Sequence, residues 1–456
     1  MFRSLLIANR GEVAIRIQHA CRALGVRSIA VHSTADRNAR FVTEADEAVC
    51  IGPPAAAASY LNQAAILLAA EATHAEAIHP GYGFLSENAA FAERVEAAGV
   101  VFVGPPAAVI RTMGNKIAAK RAMRAAGVPC VAGPDTALPE DPQMARAVAQ
   151  AIGYPVIVKA VGGGGGRGMR RVHAETDLDA AIAAAREEAR HAFGQPALYI
   201  ERFLTTPRHV EIQMLCDAHG TALWLGDRDC SMQRSHQKVL EEAPAPGIAR
   251  ELVAELGERC AEACRQMGYR GAGTFEFLYE NGRFAFIEMN TRLQVEHPVT
   301  EMITGIDIVL AQLRIAAGEP LGLRQADIAM AGHAIECRIN AEDAFTFIPS
   351  PGLVSGWTPP AGEGVRVDTY LQAGSTVSPH YDSLIAKVIA HAPDRDAALS
   401  RMQGALAAMR VEGIRTNIAL QQAILADDRF RRGALDIHLL ETWLAARSVT
   451  TTEAAA

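Results

Sequence analysis

The sequence predicts an α/β protein of several domains that begins with a doubly wound parallel sheet, continues into a mobile glycine-rich lid and ends in a β-rich domain. The first third alternates strand-like apolar runs with helical segments, which is typical of a parallel sheet covered on both faces. A second region carries the strand YPVIVKA and five consecutive glycines, Gly162–Gly166. A third region, from about residue 331, is rich in β-forming residues. With 456 residues, the chain has room for about two to four domains.

The composition is that of a globular protein with an ample core. Half of the residues are hydrophobic and 21% are charged. The net charge is −7 and no stretch interleaves basic with aromatic residues, which argues against a nucleic-acid partner. The longest apolar runs are shorter than the roughly 20 residues that a membrane helix needs. The N-terminus lacks the small-residue cleavage site of a signal peptide. We therefore expect a cytoplasmic protein with no membrane segment.

Cysteine and lysine usage separates structural from candidate functional residues. The eight cysteines form no CxxC pair, so we expect free structural thiols and no zinc site. Cys230, inside RDCSMQRSHQK, stands among other candidate site residues. Lysine is rare: of the five, Lys116, Lys159 and Lys238 lie in the motifs described below.

Residues 1–113 make up the predicted first domain. Its first strand-to-helix turn, Asn9–Glu12, has one glycine and lacks the GxGxxG pattern of a dinucleotide site, which disfavours a dehydrogenase. The segment HPGYGFLSEN (His79–Asn88) is either a structural loop or a ligand-facing loop at the carboxyl edge of the sheet. Ser86 is the predicted N-cap of the helix that follows.

Residues 114–330 make up the predicted second domain, with a lid subdomain at about 130–204. One helix is expected from Ala107 to Gly127, carrying Lys116. The strand YPVIVKA ends in Lys159 and leads into the glycines. Because consecutive glycines are costly in ordered structure, the run is either a flexible linker or a hairpin that lays backbone N–H groups over phosphates. Strand-like residues on both sides favour the hairpin, and the Lys-Ser/Thr of a Walker loop is missing.

Two alternating runs joined by Asn281-Gly282 predict a β-hairpin. With a two-residue loop, regular pairing places Glu276 and Glu288 on opposite faces, because side chains alternate along a strand. A three-residue loop with Gly282 in the left-handed conformation places both carboxylates and Asn290 on one face, and we predict this longer loop. Such a face suits a hard cation such as Mg²⁺; the alternative is an ordinary solvated strand face.

The residues after the hairpin continue the alternation. In an extended chain, Arg292, Gln294 and Glu296 lie on one side, beside the metal carboxylates. Pro298 is expected to stop this extended run. Arg292 is expected to lower the pKa of Glu296, although a general base works best with a pKa near the operating pH.

Residues 331–447 make up the predicted third domain. Arg338 and Asn340 share one face of its first strand, and Asp382 stands at a strand start. Two helices, APDRDAALSRMQGALAAMRVEG and TNIALQQAILADDRF, are expected to close the fold. Residues 448–456 are expected to be a disordered tail.

In this order and spacing, the motifs resemble those of the ATP-grasp superfamily, and specifically those of the biotin carboxylase family. The resemblance covers essentially the whole chain. It rests on IANRGEVAIRI, HPGYGFLSEN, KAVGGGGGRGMR, RDCSMQRSHQK, EEAPAP, YRGAGTFEF, IEMNTRLQVEHPVTE, ECRINAED and YDSLIAK. It implies an ATP-grasp fold behind the N-terminal domain.

The resemblance also implies a nucleotide site and a metal site. ATP phosphates would be held by Lys116, Lys159 and the glycines Gly163, Gly164, Gly165 and Gly166. Met169, Glu201 and Leu204 would lie near the adenine. The ribose and phosphates would be surrounded by His209, Gln233 and His236. Glu276, Glu288 and Asn290 would hold Mg²⁺ or Mn²⁺.

The same resemblance implies sites for bicarbonate and biotin. Bicarbonate would be bound by Arg292, Gln294 and Val295, with Glu296 as its base. Lys238 would meet the transferring phosphoryl group. Arg338 would stabilise the biotin enolate, and Tyr82 and Asp382 would face the biotin ring. Phosphate released from carboxyphosphate would take the biotin proton.

The implied reaction is ATP-dependent carboxylation of biotin, the first half-reaction of a biotin-dependent carboxylase. Acetyl-CoA carboxylase of fatty acid synthesis is the leading interpretation, and a propionyl-CoA or other acyl-CoA, pyruvate or urea carboxylase is the alternative. The AMKM biotin-attachment motif does not occur, so biotin is expected to arrive on a separate biotin carboxyl carrier protein or on another part of a longer chain, and a carboxyltransferase is expected in trans. A homodimer is also implied.

Two other classes of function stay open from the residues alone. Another ATP-grasp ligase that acts through an acylphosphate would not be stimulated by biotin. A nucleotide-binding regulator on an inactive ATP-grasp fold would have lost catalytic residues. Against the regulator, the sequence retains Lys238, Glu276, Glu288, Glu296 and Arg338.

Overall fold

The computed structural model describes residues 1–162 and 168–454, without the side chains of Phe193 and of residues 448–454. The N-terminal elements are β1 (Ser4–Ile7), α1 (Gly11–Leu24), β2 (Arg27–Ser33), α2 (Arg40–Thr43), β3 (Glu47–Gly52), α3 (Gln63–Ala72), β4 (Ala77–His79), α4 (Ala89–Ala97), β5 (Val101–Phe102) and α5 (Ala107–Met113). The five strands pair in parallel in the order β3-β2-β1-β4-β5. This confirms the predicted doubly wound sheet. Ligands bind such sheets where the strand order reverses, here outside the carboxyl ends of β1 and β4.

The N-cap of α4 is Asn88 and not the predicted Ser86. The Asn88 side chain accepts a hydrogen bond from the backbone N–H of Phe91 at 2.9 Å. Ser86 is buried, and its hydroxyl has no hydrogen-bond partner among the described residues. The helix therefore begins two residues later than the sequence suggested, where an amide reaches the orphan N–H groups of its first turn.

The lid is a small three-stranded antiparallel sheet packed against two helices. Helix α6 (Lys116–Ala125) precedes the lid. The elements of the lid are α7 (Pro142–Ile152), β6 (Val156–Ala160), β7 (Met169–Val172), α8 (Leu178–Phe193) and β8 (Leu198–Arg202). The strand order is β7-β6-β8, and apolar residues of α7 and α8 cover one face. The four predicted phosphate-binding glycines, Gly163–Gly166, lie outside the described residues.

The single helix expected from residues 107 to 127 is two helices. Gly114 ends α5, and the Asn115 side chain caps α6 by accepting hydrogen bonds from the N–H groups of Ile117 and Ala118. Lys116 is thus the first residue of α6. The cap competes successfully with a continuous helix because Gly and Asn are both poor helix formers.

An eight-stranded antiparallel sheet runs through the rest of the chain. The elements of this part of the chain begin with β9 (Arg208–Cys216), β10 (Ala222–Arg234), β11 (Gln237–Ala243), α9 (Arg250–Met267), β12 (Gly271–Glu280), β13 (Arg283–Asn290), α10 (His297–Thr304) and α11 (Ile308–Ala316). They continue with β14 (His333–Asn340), β15 (Gly352–Leu353), β16 (Gly356–Thr358), β17 (Val365–Thr369), β18 (Thr376–Val377), β19 (Leu384–Ala392), α12 (Arg395–Ala408), β20 (Arg410–Glu412), α13 (Ile418–Ala426), α14 (Asp428–Arg431) and α15 (Leu439–Ala454). The order is β13-β12-β9-β10-β11-β14-β19-β17, so the β11–β14 pairing joins the predicted second and third domains in one sheet.

The C-terminal segment differs from the prediction in one place. The first closing helix, α12, ends at Ala408, and the residues that follow form the short strand β20, which pairs with β16. Helix α15 extends as far as Ala454, and the disordered tail expected at residues 448–456 stays a prediction. Among the residues described, no helix combines the length and the apolar character needed to cross a membrane.

One buried carboxylate ties the first domain to the large sheet. Arg16 of α1 donates to Glu301 of α10 at 2.8 Å and to Asp307 at 2.5 Å. Arg366 of β17 donates to the other oxygen of Glu301 at 2.7 Å. The largest apolar core also joins α1 and α11 to the sheet and to α12. The strand ends of the first domain are thereby held over the polar face of the large sheet.

The capping assignment can be tested with two alanine variants. Asn88→Ala should destabilise the start of α4 by about 1 kcal/mol, because it removes the cap from the Phe91 N–H. Hydrogen exchange followed by mass spectrometry should show faster exchange in residues 89–93. Ser86→Ala is the matched control and should leave exchange there unchanged; the reverse pattern would restore Ser86 as the cap.

Candidate active site

The hairpin β12–β13 has the shorter loop, so the predicted three-residue loop is wrong. Glu280 pairs with Arg283, and Asn281 and Gly282 both have positive φ angles, of 51° and 75°. Pairing is regular down to Phe277 opposite Phe286, and the next pair is Glu276 opposite Glu288. Ile287 is therefore an extra residue, and this β-bulge restores the shared face that an even loop would have lost. Both carboxylates and Asn290 lie on that face.

The chain does not stay extended after Asn290. No strand covers residues 291–296, and α10 begins at His297 with Pro298 in its first turn, so Pro298 starts a helix and does not merely stop a strand. Arg292 and Gln294 still meet, at 3.0 Å, and Gln294 donates to Glu276 at 3.1 Å. Side-chain hydrogen bonds, and not strand alternation, bring these residues to the hairpin.

A cavity of about 270 Å³ lies between the lid and the large sheet. Apolar side chains such as Ile157 and Leu278 form part of its wall. All of the described residues predicted to bind ATP line it: Lys116, Lys159, Met169, Glu201, Leu204, His209, Gln233, His236, Glu276 and Glu288. A mixture of apolar walls and cationic groups fits a nucleotide.

Two lysines hold Glu201 at the floor of this cavity. Lys159 and Lys120 each lie 2.7 Å from one of its oxygens, and Glu201 and Lys120 are almost completely buried. Burial alone would raise the pKa of Glu201, but the two ammonium groups lower it, so the carboxylate stays charged. Sequence reasoning missed Lys120. The rarity of lysine in this sequence was the available signal, since all five lysines prove to be in buried or half-buried ion pairs.

Lys238 lies among three carboxylates. Its ammonium is 3.0 Å from Glu276 and 2.7 Å from Glu296, and it also contacts Glu211. Burial favours the neutral amine, but the three glutamates raise the pKa of Lys238 well above its usual value. His209 lies 3.3 Å from Glu276, and despite its burial the neighbouring carboxylates raise its pKa to about 9.

Glu211 and Arg228 support this cluster, and neither was assigned to the site from sequence. Arg228 is fully buried and donates through two nitrogens to one oxygen of Glu211, at 3.1 and 2.9 Å. Its remaining N–H groups are taken by Gln213, Thr300 and Thr274. Burial would raise the pKa of Glu211, but Lys238 and Arg228 lower it to about 2. Arg228 is the first residue of the motif RDCSMQRSHQK, which was the available signal, whereas Glu211 is an ordinary alternating polar position on its strand.

A second cavity, of about 820 Å³, opens between the strand ends of the first domain and β14. Predicted residues that line it are Tyr82, Lys238, Asn290, Arg292, Gln294, Val295, Arg338 and Asp382. The Tyr82 hydroxyl donates to Glu12, and the Val295 carbonyl accepts from Lys387 at 2.7 Å. Asp382 precedes β19 and accepts from the Leu384 N–H at 2.7 Å.

Glu296 is fully buried and is held by two cations. Lys238 lies 2.7 Å from one oxygen, and Arg338 donates to the other at 3.0 Å. Burial would raise its pKa, but Lys238 and Arg338 lower it below the usual value. The predicted direction is correct, but Lys238 and Arg338 lower the pKa more than Arg292 does. Arg292 is instead held by Glu87, at 2.9 Å, and by Asn290, at 2.8 Å.

The oxygens of Glu276 and Glu288 fit a hard divalent cation. They face the same cavity from directly opposed strand positions. Lys116 lies 2.5 Å from Glu288, and Lys238 lies 3.0 Å from Glu276, so each carboxylate is paired with an ammonium group. All eight cysteines are free, as predicted. Cys230 is buried, with its sulfur 3.9 Å from Glu296.

Comparison with family models places the chain in a known class. Residues 1–110 match the biotin carboxylase N-terminal domain, and residues 336–442 match the biotin carboxylase C-terminal domain. Between them, residues 115–324 match the ATP-binding domain of the carbamoyl-phosphate synthase L chain. The fold is that of an ATP-grasp ligase.

Individual relatives agree over nearly the full length. The chain is 58% identical to the biotin carboxylase of Haemophilus influenzae, covering 97% of this chain and 98% of that protein. It is 49% identical to a pyruvate carboxylase component of Methanothermobacter thermautotrophicus, with 97% and 90% covered. The biotin carboxylase domain of Hydrogenobacter thermophilus 2-oxoglutarate carboxylase superposes with a TM-score of 0.93 at 46% identity, with 97% and 98% covered. The chain belongs to the biotin carboxylase family.

The supporting role of Arg228 can be tested by substitution. Arg228→Met should lower the stability of the protein by about 3–5 kcal/mol, because it leaves the buried Glu211 carboxylate with one partner fewer. Thermal unfolding should show a clearly lower Tm. Arg265→Met is the matched control: Arg265 pairs with Glu262 at 2.9 Å and both side chains are exposed, so a smaller decrease is expected. Equal effects would contradict the central place given to Arg228.

Proposed function

We propose that the chain carboxylates biotin carried on a separate protein, using ATP and bicarbonate, as the first half-reaction of an acyl-CoA carboxylase. The observation that carries the proposal is the position of Glu296. This buried base is bound by Lys238 and Arg338, beside two cavities that share Glu276 and Glu288. A nucleotide in the first cavity and a second substrate in the larger one would meet at this carboxylate.

We assign ATP to the first cavity. Lys116 and Lys159 are paired with Glu288 and Glu201 and would exchange these partners for phosphate oxygens. Glu276 and Glu288, with Asn290 beside them, would hold Mg²⁺ or Mn²⁺. When bound, the ion neutralises charge on the ATP phosphates. The Hydrogenobacter domain, which was solved with MgADP and bicarbonate, supports this choice of ligands.

Bicarbonate is assigned to Arg292, Gln294 and the backbone at Val295. Glu296 takes the bicarbonate proton, and the resulting carbonate oxygen attacks the γ-phosphorus of ATP. Carboxyphosphate forms and ADP leaves. Lys238 lies next to Glu296 and would stabilise the negative charge that builds up on the transferring phosphoryl group.

Biotin is assigned to the larger cavity, with Tyr82 and Asp382 on its wall. Carboxyphosphate breaks into CO₂ and phosphate, and the phosphate accepts the proton of the ureido nitrogen. The nitrogen then bonds to the carbon of CO₂. Arg338 would stabilise the negative charge on the ureido oxygen during this step, as a preorganised cation does for an oxyanion.

The final acceptor and the partners are proposed from the family resemblance. We favour acetyl-CoA carboxylase of fatty acid synthesis, with a biotin carboxyl carrier protein and a carboxyltransferase as partners. The named relatives also include pyruvate and 2-oxoglutarate carboxylases. The Hydrogenobacter domain was solved as a dimer, which supports a homodimer for this chain.

The proposed half-reaction can be measured directly. The purified protein, given Mg²⁺, ATP, labelled bicarbonate and free biotin, should form labelled carboxybiotin and release phosphate. ATP cleavage should increase when biotin is added. Bicarbonate-dependent ATP cleavage that biotin neither stimulates nor couples to label transfer would contradict the proposal and indicate a different acceptor.

The base can be tested with Glu296→Gln. This change should reduce bicarbonate-dependent ATP cleavage by about 10²–10⁴-fold, which is the usual contribution of a general base. Binding of MgATP, measured by calorimetry, should change little because Glu296 does not line the first cavity. Full ATP cleavage in the variant would remove Glu296 from this role.

Glu342→Gln is the matched control for this prediction. Glu342 lies on the wall of the larger cavity and shares only the chemical class of its side chain with Glu296, and it makes no ion pair with Lys238 or Arg338 in the part of the chain that the structure describes. Its neutralisation should leave ATP cleavage close to the wild-type rate. A comparable loss in both variants would indicate a general effect of cavity charge.

A further inference from the structure

The guanidinium of Arg338 forms a hydrogen-bonded ion pair with Glu241, a residue to which the proposed reaction gives no role. Arg338 Nε donates to Glu241 Oε1 at 2.6 Å, and Nη2 lies 2.5 Å from the same oxygen. Nη2 also donates to Glu296 Oε2 at 3.0 Å. For Nη1, no acceptor is found among the described residues. These contacts therefore leave the Nη1 amino group of Arg338, a residue on the wall of the larger cavity, available to a substrate.

The sheet register places Glu241 behind Arg338. Glu241 on β11 is directly opposite Glu336 on β14, so both side chains share a sheet face with Arg338, two residues further along β14. Glu241 is completely buried, and one of its oxygens has no hydrogen-bond partner among the described residues. Burial raises the pKa of Glu241 to about 7 even with Arg338 beside it. Packing alone does not account for a carboxylate in such an unfavourable place.

Glu241 competes with Glu296 for the same guanidinium. An arginine beside a single buried carboxylate favours a two-bond, fork-to-fork pair. In the structure, Arg338 gives Glu296 only one bond, because Glu241 occupies Nε and the inner side of Nη2. Without Glu241, Arg338 could turn fully onto Glu296 and withdraw from the cavity. Burial favours a neutral guanidine, but Glu241 and the other carboxylates raise the pKa of Arg338, which keeps it charged.

We propose that Glu241 is a positioning residue for the carboxylation of biotin: it holds Arg338 so that one face of the guanidinium stays directed at the biotin site while Glu296 remains free to act as a base. The inference deepens the proposed function and rests on it. It separates two steps of the reaction. Cleavage of ATP with bicarbonate needs Glu296, whereas transfer to biotin needs Arg338 in the position that Glu241 maintains.

The test compares two rates in Glu241→Gln. Bicarbonate-dependent ATP cleavage without biotin should stay near the wild-type rate, and the KM values for ATP and bicarbonate should be unchanged. The kcat for carboxybiotin formation should fall by about 100-fold, which is the usual effect of misplacing a reacting group by about 1 Å. Glu241→Asp retains the charge but shortens the reach by one methylene, so it should show the same split. It also serves if the Gln variant does not fold.

Glu336→Gln is the matched control. Glu336 is buried opposite Glu241, but its carboxyl group makes no hydrogen bond to Arg338 or to any other described residue. Burial raises the pKa of Glu336 well above the usual value, which favours the neutral acid, and a glutamine should substitute for it without changing either rate.

The outcomes distinguish the inference from the function on which it rests. Wild-type carboxylation with a selective loss in both Glu241 variants supports the inference. Unchanged carboxylation in them, or an equal fall in both rates with a lower Tm, overturns it and leaves the proposed function in place. A wild-type protein that forms no carboxybiotin overturns both.

Discussion

The site depends on the ammonium of Lys238. Three glutamates, Glu211, Glu276 and Glu296, converge on it from β9, β12 and the turn before α10. Three negative carboxylates in a buried pocket would repel one another strongly. This repulsion would raise their pKa values, so that some of them would bind a proton. With Lys238 between them, Glu276 and Glu296 both have a pKa below the usual value, although burial acts in the opposite direction. The cation therefore keeps two neighbouring carboxylates charged, as the proposed reaction requires of a metal ligand and of a base.

Glu296 links the two halves of the proposed reaction because it is shared. Lys238 holds one of its oxygens and Arg338 holds the other, and these two cations border the two substrates in the proposed arrangement. Once Glu296 takes a proton from bicarbonate, it attracts Arg338 less strongly. The guanidinium is then freer to meet charge that develops on biotin. Protonation of Glu296 thus weakens its attraction for both Lys238 and Arg338, after bicarbonate has been deprotonated and before biotin reacts.

The sequence was a good guide wherever a local pattern decided the structure. Strand and helix alternation predicted the parallel sheet, and the motif residues predicted to bind ATP all line one cavity where they are described. It failed where tertiary contacts decided. The bulge at Ile287 cannot be predicted from the alternating pattern, because the same sequence is compatible with a regular hairpin that has no extra residue. Asn88 and Ser86 are equally good caps on paper, and only the path of the chain selects between them.

Several residues of the site were not predicted from the sequence, for a related reason. Arg228, Glu211 and Glu241 are polar positions within strands, and such residues normally face solvent. Here the polar face of the large sheet is covered by α10 and by the first domain, so the same alternation buries charges and obliges them to pair. Lys120 was visible only through the scarcity of lysine. Charge pairing is a property of the assembled layers and not of any one strand.

The pairs that close the nucleotide cavity have a consequence for binding. Lys116 is paired with Glu288, Lys159 with Glu201, and Lys238 with Glu276. In the proposed reaction, Mg²⁺ and ATP arrive together, so the carboxylates exchange an ammonium for a metal ion and the lysines exchange a carboxylate for phosphate. Every buried charge keeps an opposite partner throughout. The desolvation cost of these groups is met by folding, and binding has only to replace one set of ion pairs with another. A metal or a nucleotide alone would leave half of the set unpaired, which favours binding of the two as one complex.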